Sequence, residues 1–337
     1  MPPMRRDCWE HCRNDHGFIG VGYPVSVGIL FPGQGSQFVG MGADLFESRP
    51  DLLGDRADDV LGFSLRTLCL AGPEDELTRT EHAQPALFAV SYALWDVLMA
   101  ESGLEPAGAA GHSLGEYTAL SAAGVFDFDT ALSLVALRGR AMAAAADLEP
   151  SGMAALLGAD REMAERISEI RREAGGRLEV ANVNGPGQVV VAGGRDDMDW
   201  LADNASELGV RRVIPLNVAG AFHSGFMSPA REAVADALGS AVIGPASFPV
   251  WSNTTARPHQ AGSIADLLAR QMVEPVLFAD SLVGMSESGI DTFVHVGPGE
   301  VTAGLARRTI DGASVHTVSN ADDIPSVLGA IGTMDRS

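Results

Sequence analysis

The sequence predicts an α/β protein: a parallel-sheet core carrying a small inserted ferredoxin-like domain. Three observations predict it. Apolar strand, glycine loop and helix alternate through the first 150 residues. The order then changes to β-α-β-β-α-β between residues 152 and 216. Strand–helix alternation resumes after 217. A chain of 337 residues, 46% of them hydrophobic, is long enough for two domains and a buried core.

Each element follows from its pattern. VSVGILF (25–31) is a short apolar run ending in PGQGSQ, a buried strand feeding a glycine loop. Residues 82–100 keep Leu87, Val90, Leu94 and Leu98 on one helical stripe. GAAGHS (108–113) is a small-residue strand closing on a second glycine turn. LGEYTALSAAG resumes helical spacing, and TALSLVALRGRAMAAAA is a long apolar helix. In the insert, GMAALLG, RLEVANVN, QVVVAGG and RRVIPL read as strands. REMAERISEIRREAG and DDMDWLADNASELG read as helices between them. Beyond it come the loop NVAGAFHSGFM, a helix near 228–239, a strand FPVW (248–251) and helices near 262–288. A strand at 291–297 and a helix after GPGE follow. The polar tail past 320 is expected to be marginal. The expected division is therefore 1–24 as a disordered extension, 25–151 with 217–320 as the large domain, and 152–216 as the small one.

Composition excludes several function classes. Net charge is −21 with pI ≈ 4.6, so nucleic acid and anionic membrane are not expected partners. All 23 basic residues are arginine, which removes P-loop, Schiff-base and Ser-Lys chemistry. Three cysteines do not make a disulfide framework. Cys8, His11, Cys12 and His16 cluster locally, but their spacing fits no zinc template and no metal is expected. With no apolar h-region near Arg5 and Arg6, and no membrane-length apolar run read, the expectation is a soluble cytoplasmic protein.

GHSLGEY (111–117) carries the sharpest chemistry. It fits G-x-S-x-G between an apolar strand and a helix, the context of a nucleophile elbow. Gly111 and Gly115 permit the tight turn that lifts the Ser113 hydroxyl to the helix N-terminus, where free N–H groups can stabilise an oxyanion. A serine needs a base. Of eight histidines, His11 and His16 lie in the unpatterned head, and His82 precedes a helix. His259 and His316 have polar or terminal contexts, His295 belongs to a strand, and His112 points from the preceding strand end. His223, in the loop AGAFHSG, is left as the candidate base. PGQGSQ puts Gln34 beside the strand ends, where it and Leu114 could each offer a peptide N–H. Arg138 sits in an apolar helix with no acid at i±3 or i±4. Such a guanidinium either snorkels to solvent or awaits an anionic ligand, which a carboxylate would satisfy bidentately.

FPGQGSQ, GHSLGEY, LRGRAM, NVNGPGQVVVAG, AFHS, ARQMVEPV and VGPGEVTAGLARR follow in that order. Together they make residues 25–310 resemble malonyl-CoA:acyl carrier protein transacylases and the acyltransferase domains of polyketide synthases. The resemblance implies an α/β-hydrolase-like large domain beside the ferredoxin-like one. It implies Ser113 as acyl acceptor, His223 as base and acid, and Gln34 and Leu114 as oxyanion donors. Arg138 would hold the malonyl carboxylate, and the main-chain carbonyl of Gln271 would orient His223. Asn182 and Asn184 match the small-domain loop at the cleft. His112 and Phe222 would line the acyl site, with Phe222 crowding an α-methyl branch. Gly220 stands where module-embedded domains often carry a larger residue, so the chain looks like a discrete enzyme serving carriers in trans. The implied reaction is ping-pong transfer from malonyl-CoA to the phosphopantetheine thiol of a holo acyl carrier protein, without a resident cofactor. Its pathway would be fatty acid or polyketide synthesis, including antibiotic polyketides.

Malonyl-CoA and the carrier are both anionic, so arginines must offset the global charge near the site mouth. Arg171/Arg172, Arg211/Arg212 and Arg307/Arg308 are the candidate pairs, with the carrier expected in the cleft between domains. Rival readings are a serine thioesterase or hydrolase of the same elbow, transfer of a bulkier acyl unit, and a non-catalytic scaffold. A hydrolase has no use for Arg138, and a scaffold has none for Ser113, His223, Gln34 and Arg138 together.

Overall fold

The computed structural model describes residues 26–334. The expectations for residues 1–24, including the Cys8–His16 cluster, lie outside them.

Two sheets organise the described residues. Strands β1 (Val27–Phe31), β2 (Gly108–Gly111), β7 (Val250–Trp251), β8 (Thr292–Val296) and β9 (Ser314–Val318) form a parallel sheet in the order β7-β2-β1-β8-β9. Every residue of β1 and β8 is buried, as a parallel sheet covered on both faces requires. Strands β3 (Ser151–Leu157), β4 (Glu179–Gly185), β5 (Gln188–Gly194) and β6 (Arg212–Pro215) form an antiparallel sheet ordered β4-β5-β3-β6. With helices Arg161–Glu173 and Arg195–Asn204 in the crossovers, this is the ferredoxin-like arrangement.

The second sheet is buried on both faces by strand alternation. Met153, Ala155, Val190 and Ala192 join the core of the parallel-sheet unit. Ala154, Leu156, Val189 and Val191 pack instead against Ile167, Leu178 and Leu201 beneath their own helices. The antiparallel sheet thus shares one core with the parallel-sheet unit. Strand β4 also bridges to the segment between two later helices, where Val183 N–H donates to Val276 O and Val276 N–H to Ala181 O.

Helix Thr80–Ser102 is long and apolar enough to cross a membrane by length and composition. It is instead a core helix: 72% of its most apolar window is buried, and it packs along helix Phe128–Leu148.

Two expectations need correction, and two groups of elements were not anticipated. The segment after 320 is not marginal: helix Ile324–Met334 buries Ile324, Val327 and Ile331 in the main core. FPVW contributes only Val250 and Trp251 to the sheet, opposite Ala109 and Ala110. Ser314–Val318, half-buried at the sheet edge, was not expected as a strand. Five short helices between Ala43 and Thr78, each of four to seven residues, escaped a search for long stripes.

Between helices Ile264–Arg270 and Phe278–Glu287 the chain breaks at 271–277, a segment holding Pro275. Pro275 disfavours helical backbone at the preceding residue. The break leaves last-turn carbonyls without helical partners, which the site uses.

Candidate active site

Ser113 stands at the bend between β2 and helix Gly115–Ala122 with φ of 51°, a left-handed conformation that costs a non-glycine residue about 1–3 kcal/mol. The neighbouring glycines are steric necessities. A Cβ on Gly111 would lie 1.9 Å from the carbonyl carbon of Gly115, and one on Gly115 would lie 2.4 Å from Phe31 O. Gly33 has the same role in the loop after the neighbouring strand β1, where a Cβ would meet His112 O at 2.4 Å. Its absence brings the PGQGSQ loop, with Gln34, against the bend.

Ser113 Oγ lies 2.8 Å from His223 Nε2. His223 Nδ1 lies 2.7 Å from the main-chain oxygen of Gln271, the residue capping helix Ile264–Arg270. A carbonyl only accepts, so Nδ1 carries the proton and Nε2 offers its lone pair to the hydroxyl. His223 is also left-handed, with φ of 57°. The third group at the hydroxyl is Arg138, 1% exposed, whose Nη2 donates to Ser113 Oγ at 2.9 Å and to Gln271 Oε1 at 2.9 Å. Its Nη1 donates to Gln84 Oε1 at 2.5 Å. Of the two fates left open for this arginine, escape to solvent is excluded.

These groups line one cavity of about 650 Å³. Gln34 and Leu114 lie on its wall beside Ser113; Phe222, Met142 and Leu216 give it apolar surface. His112 lines it too, its Nε2 bonded to Asn184 Oδ1 at 2.7 Å across the two sheet units. Asn182 and Asn184 both face the cavity from β4. Gly220 has a local reason to be small: a Cβ there would meet Ala146 Cβ at 2.6 Å. All of the site residues named from the sequence therefore surround one hollow, except Gln271, which stands behind it as the support for His223 and Arg138. An uncharged imidazole, a hydroxyl and a buried guanidinium in this geometry can form an ester and hold an anionic acyl group.

The arginine pairs separate. Arg307 and Arg308 line the cavity, whereas Arg171 is bonded to Asp197 at 2.7 Å and Arg172 to Leu178 O at 2.9 Å.

Sequence reading missed Gln84, Asn253, Glu116 and the burial of His259. His259 is buried against a carboxylate: its side chain is 2% exposed and its Nε2 lies 2.6 Å from Glu116 Oε1. The only signal was Glu116 itself, a carboxylate on a helix whose first seven residues are all buried. His295 is a buried strand residue, as expected, bonded to Thr302 Oγ1 and Gly297 O.

Burial, with the Arg138 charge adding to it, pushes His223 down to about 3. Burial alone takes His295 down to about 4. Both imidazoles refuse a proton that the unfolded chain accepts below its ordinary value near 6.5. Their contribution to stability is complete above that pH and is lost as pH falls toward 4, at up to about 1.4 kcal/mol per pH unit each. Urea midpoints should therefore decline between pH 7.5 and 5; a flat profile would contradict neutral burial.

Residues 29–336 match the acyl transferase domain family. The chain is 39% identical over 301 residues to a malonyl CoA-acyl carrier protein transacylase of Bacillus subtilis, covering 88% of this chain and 95% of that one. It is 41% identical over 281 residues to a polyketide biosynthesis malonyl CoA-acyl carrier protein transacylase of Bacillus velezensis, covering 83% and 95%. Among solved structures, a malonyl-transacylase in complex with its holo type II PKS acyl-carrier protein superposes with a TM-score of 0.86 at 36% identity, covering 90% and 99%. A bend that presents a serine to an imidazole above a buried guanidinium thus occurs here within a sequence match spanning both sheets, and the chain belongs to the acyl transferase domain family.

Proposed function

We propose that this chain is an acyl carrier protein S-malonyltransferase that works through an ester on Ser113. The observation that carries the reading is the buried Arg138 guanidinium within 2.9 Å of the Ser113 oxygen. Only an acyl group with a free carboxylate gives it a charged partner, and a simple hydrolase needs none.

His223 Nε2 takes the hydroxyl proton as Ser113 Oγ attacks the thioester carbonyl of malonyl-CoA. The peptide N–H groups of Gln34 and Leu114 receive the oxyanion. Collapse breaks the C–S bond, and the imidazolium returns its proton to the departing CoA thiolate. The phosphopantetheine thiol of a holo acyl carrier protein then gives its proton to His223 and attacks the ester. Ser113 leaves and recovers the proton, and the malonyl thioester departs on the carrier. Gln271 O holds the imidazole tautomer throughout. No resident cofactor takes part. Arg138 fixes the carboxylate so that the ester carbonyl faces the incoming thiol.

In this reading 152–216 is the smaller domain, and 25–151 with 217–320 the larger, extended by the packed helix Ile324–Met334. The carrier docks over the cavity mouth near Arg307 and Arg308. The enzyme acts as a cytoplasmic protein in fatty acid or polyketide synthesis. His112 and Phe222 shape the acyl pocket. Replacing Phe222 by serine, which frees space beside the α-carbon, should raise the methylmalonyl-to-malonyl loading ratio by about tenfold. An unchanged ratio in competition loading would remove Phe222 from selectivity.

The direct test incubates the protein with labelled malonyl-CoA. A lasting adduct on the Ser113 peptide that transfers to a holo carrier supports the reading. Release of free malonate without adduct or transfer would instead mark a hydrolase.

A further inference from the structure

The nucleophile's own peptide is clamped by side chains from two distant segments. Ser113 N–H donates to Asn253 Oδ1 at 2.7 Å, and Ser113 O accepts from Gln271 Nε2 at 2.9 Å. Asn253 is fully buried in the loop after β7, and its Nδ2 donates to Gly111 O at 2.7 Å, closing the other side of the bend. Both clamping residues meet at one carboxylate. Glu116 Oε2 accepts from Gln271 Nε2 at 2.6 Å and from the Asn253 N–H at 3.2 Å. Glu116 Oε1 lies 2.6 Å from His259 Nε2.

A left-handed serine persists only where its surroundings over-determine it. Every polar group of the Ser113 backbone that faces this network is held. The amide ends are also fixed. Arg138 has only donors, so Gln271 turns Oε1 toward it and Nε2 toward Glu116. A flipped amide would set oxygen against carboxylate and NH₂ against guanidinium. One consequence concerns the oxyanion: Ser113 N–H is already committed to Asn253, leaving the task to neighbouring peptides.

We propose that Asn253 and Glu116 are positioning residues for the transfer reaction: they hold the Ser113 peptide in its strained conformation so that Oγ meets His223 Nε2. The proposal rests on Ser113 being the acyl-bearing nucleophile. It predicts a defect in nucleophile geometry rather than in acyl-group recognition.

The test compares Asn253→Ala, Glu116→Met and Glu116→Gln with the unaltered chain. Malonyl loading is measured as kcat and KM, and reaction with a fluorophosphonate, which has no carboxylate, as a second-order rate. Rates are normalised to folded protein by thermal melting. Asn253→Ala and Glu116→Met should lower malonyl kcat and the fluorophosphonate rate together, by about 10- to 100-fold, with KM within about twofold. Glu116→Gln, which keeps an acceptor for Gln271 and Asn253, should recover to within about threefold of the unaltered rates. Loss of malonyl loading with an unchanged fluorophosphonate rate would overturn the proposal, as would a KM effect alone, or full kcat per folded molecule. Should Glu116→Met not fold, Asn253→Ala decides between these outcomes, since it deletes only one amide. If the unaltered chain forms no adduct on Ser113, the proposed function fails rather than the clamp alone.

Discussion

Replacing Arg138 by alanine should depress malonyl loading by at least about 100-fold more than acetyl loading. The two acyl groups differ by the carboxylate that the guanidinium would receive. The guanidinium is buried, and charge-assisted bonds at a buried site are worth several times an exposed pair. The same change leaves Gln84 Oε1 and Gln271 Oε1 without the donor they now have, so a fall in melting temperature should accompany it. Acetyl loading controls for that structural part, since it uses the same hydroxyl and imidazole. Parallel losses for both acyl groups would make Arg138 a structural residue only.

His223→Ala should lower the rate of Ser113 acylation by roughly 10³-fold at unchanged KM for malonyl-CoA. Its Nε2 meets the hydroxyl and not the acyl group, so ground-state binding is spared. The pH profile provides a second reading of the same residue. With the imidazole held down to about 3, the base form persists through the range in which an exposed histidine would protonate. Acylation should therefore show no acid limb near pH 6.5, as long as the protein remains folded. A limb at that pH would mean that the base is solvated or is a different group.

Much of this site was legible because it obeys local rules. G-x-S-x-G between a strand and a helix is a steric statement, and the clashes that alanine would make at Gly111 and Gly115 are its cause. Arg138 was conspicuous as a charge without an i±4 partner in an apolar helix, and the structure supplies partners from 25 to 133 residues away. The ferredoxin-like insert was legible because its strands alternate with period two and its helices are amphipathic. What escaped has no local pattern. Asn253 lies 140 residues from the serine whose peptide it holds, and His259 lies 143 from Glu116. Nothing near either residue marks it as buried. Helix Ile324–Met334 was hidden by Gly, Pro and Ser among its apolar residues, a composition that lowers intrinsic helix propensity while packing against the core holds the turn together.

In the proposed reaction the hydroxyl at 113 accepts a dicarboxylic acyl group and holds it for a thiol. Intact-protein and peptide mass spectrometry after exposure to an equimolar mixture of acetyl-, malonyl- and methylmalonyl-CoA tests it most directly. The expected spectrum has one added malonyl group, confined to the peptide containing Ser113 and discharged by a holo carrier protein. Acetyl as the main adduct, modification at another residue, or no adduct beside accumulating free acid would contradict it.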